Sequence, residues 1–210
     1  MIKPHGSDEL NPLFVYDTAE NEALQKEAKD LASIVVSSAT AANAVMMGAG
    51  YFNPLTGYMN KADALSVANN MKTASGLFWP TPILNLVQDA GSVKAGDRIA
   101  LKDPNVEGNP VLAVMDVEAV EEFSDEDMAL MSEKVYRPSP DEAHPGVDAF
   151  NAQGKVCLSG PIKVLNFSYF QDEFPDTFRT AVEIRNEIAE HGWKKIVAFQ
   201  TRNPMHLAHE

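Results

Sequence analysis

Apolar and polar positions alternate at helical spacing in three early stretches. In residues 20–31, Ala23, Leu24, Ala28 and Leu31 are interleaved with Glu20, Glu22, Lys26, Glu27 and Lys29, which predicts an amphipathic helix. The Ala-rich run from Ser38 to Met47 predicts a second helix, stopped by Gly48 and Gly50. Lys61 to Asn70 predicts a third, with Asn60 as its N-cap. From Leu77 to Phe123 the pattern changes to strands. Ile83–Val87 reads as a strand, Val93–Arg98 as a turn into the strand Ile99–Leu101, and Asp103–Pro110 as a loop dense in turn residues before a strand returns over Val111–Val120. This is the pattern of a β-hairpin in a barrel or an antiparallel sheet. Ser124, three residues before Asp127, opens a helix over Ser124–Glu133 in the manner of a capping box. Pro138, Pro140 and Pro145 mark a loop, and Val156–Leu158 and Ile162–Leu165 are two further strands.

A different grammar begins near Phe170. Asp176 is positioned to cap a helix from Thr177 to His191, with Phe178, Val182, Ile184 and Ile188 on its apolar side and Gly192 at its end. The apolar run Lys195–Phe199 then predicts a strand. Helix, strand, loop and helix in succession is α/β organisation. The domain boundary therefore falls between about 166 and 175, giving an N-terminal domain over 1–169 and the start of a second over 170–210.

Composition narrows the class. The 210 residues are 45% hydrophobic and 22% charged, which is ordinary for a soluble globular protein. No apolar run is long enough to span a bilayer. The segment Met1–Ser7 has neither an apolar h-region nor a cleavage-site pattern, and Cys157 is the single cysteine, so the expected compartment is the cytoplasm. The net charge of −13 argues against a nucleic-acid partner but leaves room for a local cluster of Arg, His and N–H groups that binds a small anion.

Candidate chemistry gathers after the Lys195–Phe199 run, in Gln200, Thr201, Arg202, Asn203, Pro204, Met205, His206, Leu207, Ala208, His209 and Glu210. A strand end feeding a helix N-terminus offers unpaired N–H groups and the positive end of a helix dipole to an anion. Arg202 adds a fork-shaped cation suited to tetrahedral oxyanions. Gln200, Thr201 and Asn203 supply neutral donors, and Pro204 suits a helix start. His206 and His209, three apart, share one face of a helix and can reach one ligand. The competing reading is a solvated loop with a structural arginine and two surface histidines. His-x-x-His-Glu does not match the zinc-protease patterns, and there is no P-loop. Gly48-Ala49-Gly50 lacks the third glycine of a dinucleotide fingerprint and reads as a helix stop. Elsewhere, Pro54–Gly57 reads as a turn between helices, His144 as a loop contact and Cys157 as a buried small hydrophobe. Arg179 and Arg185 read as solvated or salt-bridged side chains on the last amphipathic helix.

The run Gln-Thr-Arg-Asn-Pro-Met-His-Leu-Ala-His-Glu over 200–210 resembles the signature of the ATP sulfurylase (sulfate adenylyltransferase) family, with every fixed position of Gln-x-Arg-Asn-Pro-x-His-x-x-His-Glu present. Gly50–Met59, Val93–Asp97, Asp141–Val147 and Phe174–Arg179 resemble further segments of that family, so the likeness covers essentially the whole chain. It implies an α+β protein: a PUA-like N-terminal β-barrel domain with added helices, followed by the start of an α/β, Rossmann-like nucleotidyltransferase domain that family members continue past this point. These 210 residues are then expected to supply one wall of an active site.

The resemblance implies the reaction of ATP and sulfate to adenosine 5′-phosphosulfate (APS) and pyrophosphate, by direct attack of sulfate on the α-phosphorus, in sulfate assimilation or, reversed, in sulfur oxidation. It gives Gln200 and Arg202 to sulfate, makes Thr201, Arg202 and Asn203 the catalytic loop, and sets His206 and His209 on the ATP phosphates as further catalytic groups, so that all six are nucleotide-binding. Mg²⁺ is expected on the ATP and not in a protein cage, and the family suggests a homo-oligomer. Two other readings compete: another His-x-x-His adenylyltransferase with a different acceptor, and a non-enzymatic PUA-like interaction module.

Overall fold

The computed structural model describes residues 2–137, 143–201 and 207. Its first helix, α1 (Thr18–Glu27), starts at Asp17, whose side chain accepts the Glu20 N–H, and it lies slightly ahead of the predicted span. A strand absent from the sequence reading follows, β1 (Ala32–Val35). Helix α2 (Ser38–Gly48) takes Ser37 as N-cap and runs through Gly48 to a cap at Ala49. The short strand β2 (Gly57–Tyr58) precedes α3 (Lys61–Asn70), which begins at Asn60 as predicted.

The predicted strand Ile83–Val87 shrinks to β3 (Leu86–Val87). Then come β4 (Arg98–Lys102) and β5 (Val111–Asp116), paired antiparallel as the predicted hairpin. The predicted strand Val111–Val120 breaks after Asp116, and β6 (Ala119–Glu122) turns away to pair elsewhere. Helix α4 (Asp125–Tyr136) carries the full capping box of Ser124 and Asp127. Pro138 and Pro140 lie outside the described residues. Pro145 is not a loop residue: it opens α5 (Pro145–Asn151), since proline suits the first helical turn, and His144 is the N-cap, its side chain accepting the Gly146 N–H.

The two strands read at 156–158 and 162–165 are one, β7 (Val156–Val164). Its partners explain the continuity. β3 and β6 pair with its first half, β2 with Gly160 and Pro161, and β5 with Ile162–Val164. The backbone of β2 passes so close to β7 that a Cβ on Gly57 would lie 1.9 Å from the Gly160 carbonyl oxygen, so two glycine-containing stretches meet where side chains cannot. The sheet order is β1-β4-β5-β7-β2, with β3 and β6 also on β7. Because β1 runs parallel to β4, the sheet is mixed and not purely antiparallel.

Alternation along β4 and β5 separates two cores. Ile99 and Leu101 face Met115 and Ala113 across the ladder and join the main core with α2, α3 and α4, which includes Val45, Met47, Val67, Met131 and Phe123. Ala100 and its partner Val114 point the other way and pack with Leu24, Ala28, Val15 and Leu165 beneath α1. Cys157 is fully buried with its thiol toward the Met59 carbonyl, and burial pushes its pKa up to about 12, as expected of a small hydrophobe in the core. The chain is an α+β protein, and no helix among the described residues is long and apolar enough to cross a membrane.

Candidate functional site

The approach to the predicted site starts at Phe167. Its ring stacks on Phe14 at 4.4 Å and meets Phe178 at 5.3 Å, so the chain after β7 is held on the main core by aromatic contacts. A single helical turn, α6 (Phe170–Glu173), adds Phe170 to this group, 5.8 Å from Phe178.

Helix α7 (Ala181–Glu190) then begins, later than the predicted Thr177 and without Asp176 as its cap. Thr180 is the N-cap. The Glu183 N–H donates to Thr180 Oγ1 at 3.3 Å, and the Thr180 N–H donates to Glu183 Oε2 at 2.7 Å. The Thr-x-x-Glu spacing was a readable capping-box signal, and it prevails because it satisfies two end donors reciprocally where a lone Asp satisfies one. These hydrogen bonds hold the Glu183 carboxyl below its usual pKa, with the Thr180 N–H the largest cause.

Two tyrosines of the N-terminal region face this cap. The Tyr51 hydroxyl donates to the Arg179 carbonyl at 2.8 Å, and the Tyr16 hydroxyl lies beside the Thr180 side chain. Burial, with the nearby Glu183 carboxylate, pushes both phenols above their ordinary range. The Ala181 N–H donates to the Ala49 carbonyl at 2.8 Å, which ties the first residue of α7 to the end of α2. Arg179 and Arg185 each have a partner within the chain. Arg179, just ahead of the helix, pairs with Glu187 at 3.9 Å, and Arg185 donates to the Ile2 carbonyl at 2.8 Å.

Past α7, the His191 and Trp193 rings stack at 4.6 Å, and residues 194–201 carry no helix or strand. The predicted strand Lys195–Phe199 is therefore not present. Residues 195–199 belong to none of the described strands. Their apolar side chains stand in solvent, Val197 at 93% exposure. Of the predicted site residues, Gln200 is exposed and Thr201 half-buried, while Arg202, Asn203, His206 and His209 lie outside the described residues. A cavity of about 120 Å³ between α2, α4 and α5 is lined by Asn43, Met131, Tyr136 and Phe150 among others, and no residue of 195–201 lines it. Among the described residues no group of three or more His, Cys, Asp or Glu is placed to hold a metal ion.

Comparison with known proteins adds what this geometry leaves open. Residues 2–167 match the family model of the PUA-like domain, and residues 175–210 match that of ATP-sulfurylase. Along all 210 residues the chain is 65% identical to the sulfate adenylyltransferase of Allochromatium vinosum, of which it covers 53%. It is 61% identical to that of the Riftia pachyptila sulfur-oxidizing endosymbiont, of which it covers 47%, and 40% identical to that of Thiobacillus denitrificans, of which it covers 50%. The chain thus spans about half the length of the curated relatives it matches. Among solved structures, a chain described as a hexameric APS kinase from Thiobacillus denitrificans superposes with a TM-score of 0.73 at 26% identity, over 99% of this chain and 35% of that one.

Proposed function

Because this chain belongs to the PUA-like domain family across residues 2–167, and is related along its whole length to sulfate adenylyltransferases, we propose that the intact protein joins sulfate to the adenylyl group of ATP. The observation that carries this reading is the ATP-sulfurylase match over 175–210, which contains Gln200, Thr201, Arg202, Asn203, His206 and His209 together.

A sulfate oxygen attacks the α-phosphorus of ATP in line. The bond to the bridging oxygen breaks, pyrophosphate leaves with its electrons, and APS is the product. No enzyme nucleophile is required. Catalysis comes from holding two mutually repelling anions in register and stabilising the charge that shifts onto the phosphoryl oxygens and the leaving group. Gln200 and Arg202 hold sulfate. Thr201, Arg202 and Asn203 form the loop around the transferring phosphorus, and His206 and His209 donate to the ATP phosphates. Mg²⁺ enters as MgATP, bound through phosphate oxygens and water, the coordination this ion prefers.

The same reading assigns residues 1–169 to a PUA-like barrel and 170–210 to the start of a Rossmann-like nucleotidyltransferase domain. The positions of the two family matches, and the separate cap and aromatic anchor with which α7 begins, support that division. A homo-oligomer is supported by the likeness to a chain described as hexameric. A buried, reduced Cys157 fits a cytoplasmic location.

The test is pyrophosphate release by the intact protein from MgATP, with and without sulfate, beside a panel of nucleotide and pantetheine-phosphate acceptors. Sulfate-dependent release is expected. Release driven by one of the other acceptors, and not by sulfate, would overturn the reading.

A further inference from the structure

Helix α7 is the last regular element before Gln200, yet among the described residues it buries none of its own side chains. Its apolar side is only partly covered, with Ile184 still 36% exposed. A helix without a buried face takes its position from what holds its ends. Besides the Arg185 bond to the Ile2 carbonyl, the holding points are three consecutive residues at its start: the Arg179 carbonyl, which accepts from Tyr51; Thr180, which is 4% exposed and faces Tyr16; and Ala181, whose N–H donates to Ala49.

The N-terminal side of this contact is itself constrained. Ala49 and Gly50 end α2, and Gly50 holds φ at +83° with space for a Cβ only 3.5 Å from the Ala181 Cβ. Tyr51 follows directly, its N–H bonded to the Met46 carbonyl, so the phenol springs from a turn fixed to the core helix. The Tyr51 ring is 41% exposed and contributes modest burial. Its distinctive contact is the hydroxyl on the Arg179 carbonyl.

We infer that Tyr51 is a positioning residue for the proposed adenylyl transfer, its hydroxyl fixing the start of α7 and through it the place of the segment leading to Gln200. The inference rests on the functional reading above. The contact of the phenol is with the main chain at Arg179. It acts through α7, and the penalty for its loss is misplacement of the anion-holding loop, to which in-line transfer is sensitive.

Tyr58 supplies a matched control. Its hydroxyl also donates to a main-chain carbonyl at 2.8 Å, that of Thr40, but the contact is buried wholly within the N-terminal region. In the intact protein, Tyr51→Phe is expected to lower kcat by about tenfold, leave both KM values within about twofold, and speed amide exchange at Ala181 with Tm nearly unchanged. Tyr58→Phe is expected to lower Tm by about 2–4 °C and leave turnover per folded molecule unchanged. Wild-type kcat in Tyr51→Phe, or a Tm loss like that of Tyr58→Phe without a kcat loss, overturns the inference. Should the wild-type protein release no sulfate-dependent pyrophosphate, the functional reading fails separately. The contact is then judged by exchange at Ala181 alone: faster exchange in Tyr51→Phe supports it, and unchanged exchange overturns it.

Discussion

Arg98 grips Asp116 directly across the β4–β5 ladder, Nε to Oδ1 at 2.6 Å and Nη2 to Oδ2 at 3.0 Å, and the two are register partners. The guanidinium also reaches Glu27 of α1 at 3.3 Å, so one side chain fastens a helix to the hairpin edge. The pair holds the Asp116 carboxyl below the usual aspartate range. A depressed carboxylate contributes stability that is present above its unfolded pKa and lost as pH falls through the folded one. Both side chains are more than a third exposed, so solvent screening keeps the contribution to about 1 kcal/mol or less. Arg98→Ala is expected to reduce urea stability by that amount at pH 7, with the gap to wild type closing as pH drops below the ordinary aspartate value and narrowing in high salt. An undiminished gap at acid pH would show that the arginine acts through packing of its stem.

The crossing of β2 over β7 makes a sharper prediction. A Cβ at Gly57 meets the Gly160 carbonyl oxygen at 1.9 Å, and one at Gly160, where φ is +141°, meets the Asp116 carbonyl oxygen at 2.1 Å. Either glycine changed to alanine forces backbone apart in the sheet. Each substitution is expected to cost about 3 kcal/mol or more. Gly91→Ala is the comparison, since a Cβ there meets nothing and only its φ of +59° opposes the change. Equal urea midpoints for Gly57→Ala and Gly91→Ala would contradict the close approach.

Cys157 should be silent in the native protein. Its thiol is fully buried and pushed up to about 12, so the reactive thiolate is scarce at pH 8. An aromatic disulfide reagent is expected to label it only after denaturant is added. The same shift has a stability consequence. Below the ordinary thiol pKa both states keep the proton. As pH climbs from there toward 12, the unfolded chain loses it first and the folded state loses stability. Rapid labelling without denaturant would place the thiol at the surface.

The proposed chemistry is most exposed to Arg202. Arg202→Ala in the intact protein is expected to lower turnover by something like 10²–10³-fold, the loss typical of an oxyanion donor. Sulfate-dependent pyrophosphate release at the wild-type rate would remove Arg202 from the site.

The sequence was most legible where a local signal decided the structure. Asn60 and Ser124 were readable as caps because each short side chain satisfies an end N–H three residues on, and both do so. It was least legible where the decision was made at a distance. Ser159-Gly160-Pro161 has the composition of a turn, yet β6 pairs with Ser159 and β2 with Gly160 and Pro161, which holds it extended inside β7. Ala32–Val35 is a strand because β4 accepts it in parallel, and its own alternation is too short to announce that. Lys195–Phe199 is the converse, a strong strand pattern that belongs to none of the described strands. For the candidate site, the Thr180–Glu183 box lay in plain spacing, but the meeting of Tyr51 with Arg179, 128 positions away, is set by tertiary structure alone.

The place of β7 in the sheet has a consequence for synthesis on the ribosome. β2, β3, β5 and β6 all pair with it, and it is the last of the seven described strands to be made. Until Val164 clears the exit tunnel, those four strands lack their common neighbour, and the nascent chain carries open edges prone to wrong pairing. A pause in translation just before β7 would lengthen that window, whereas one after it would come when the sheet can already close.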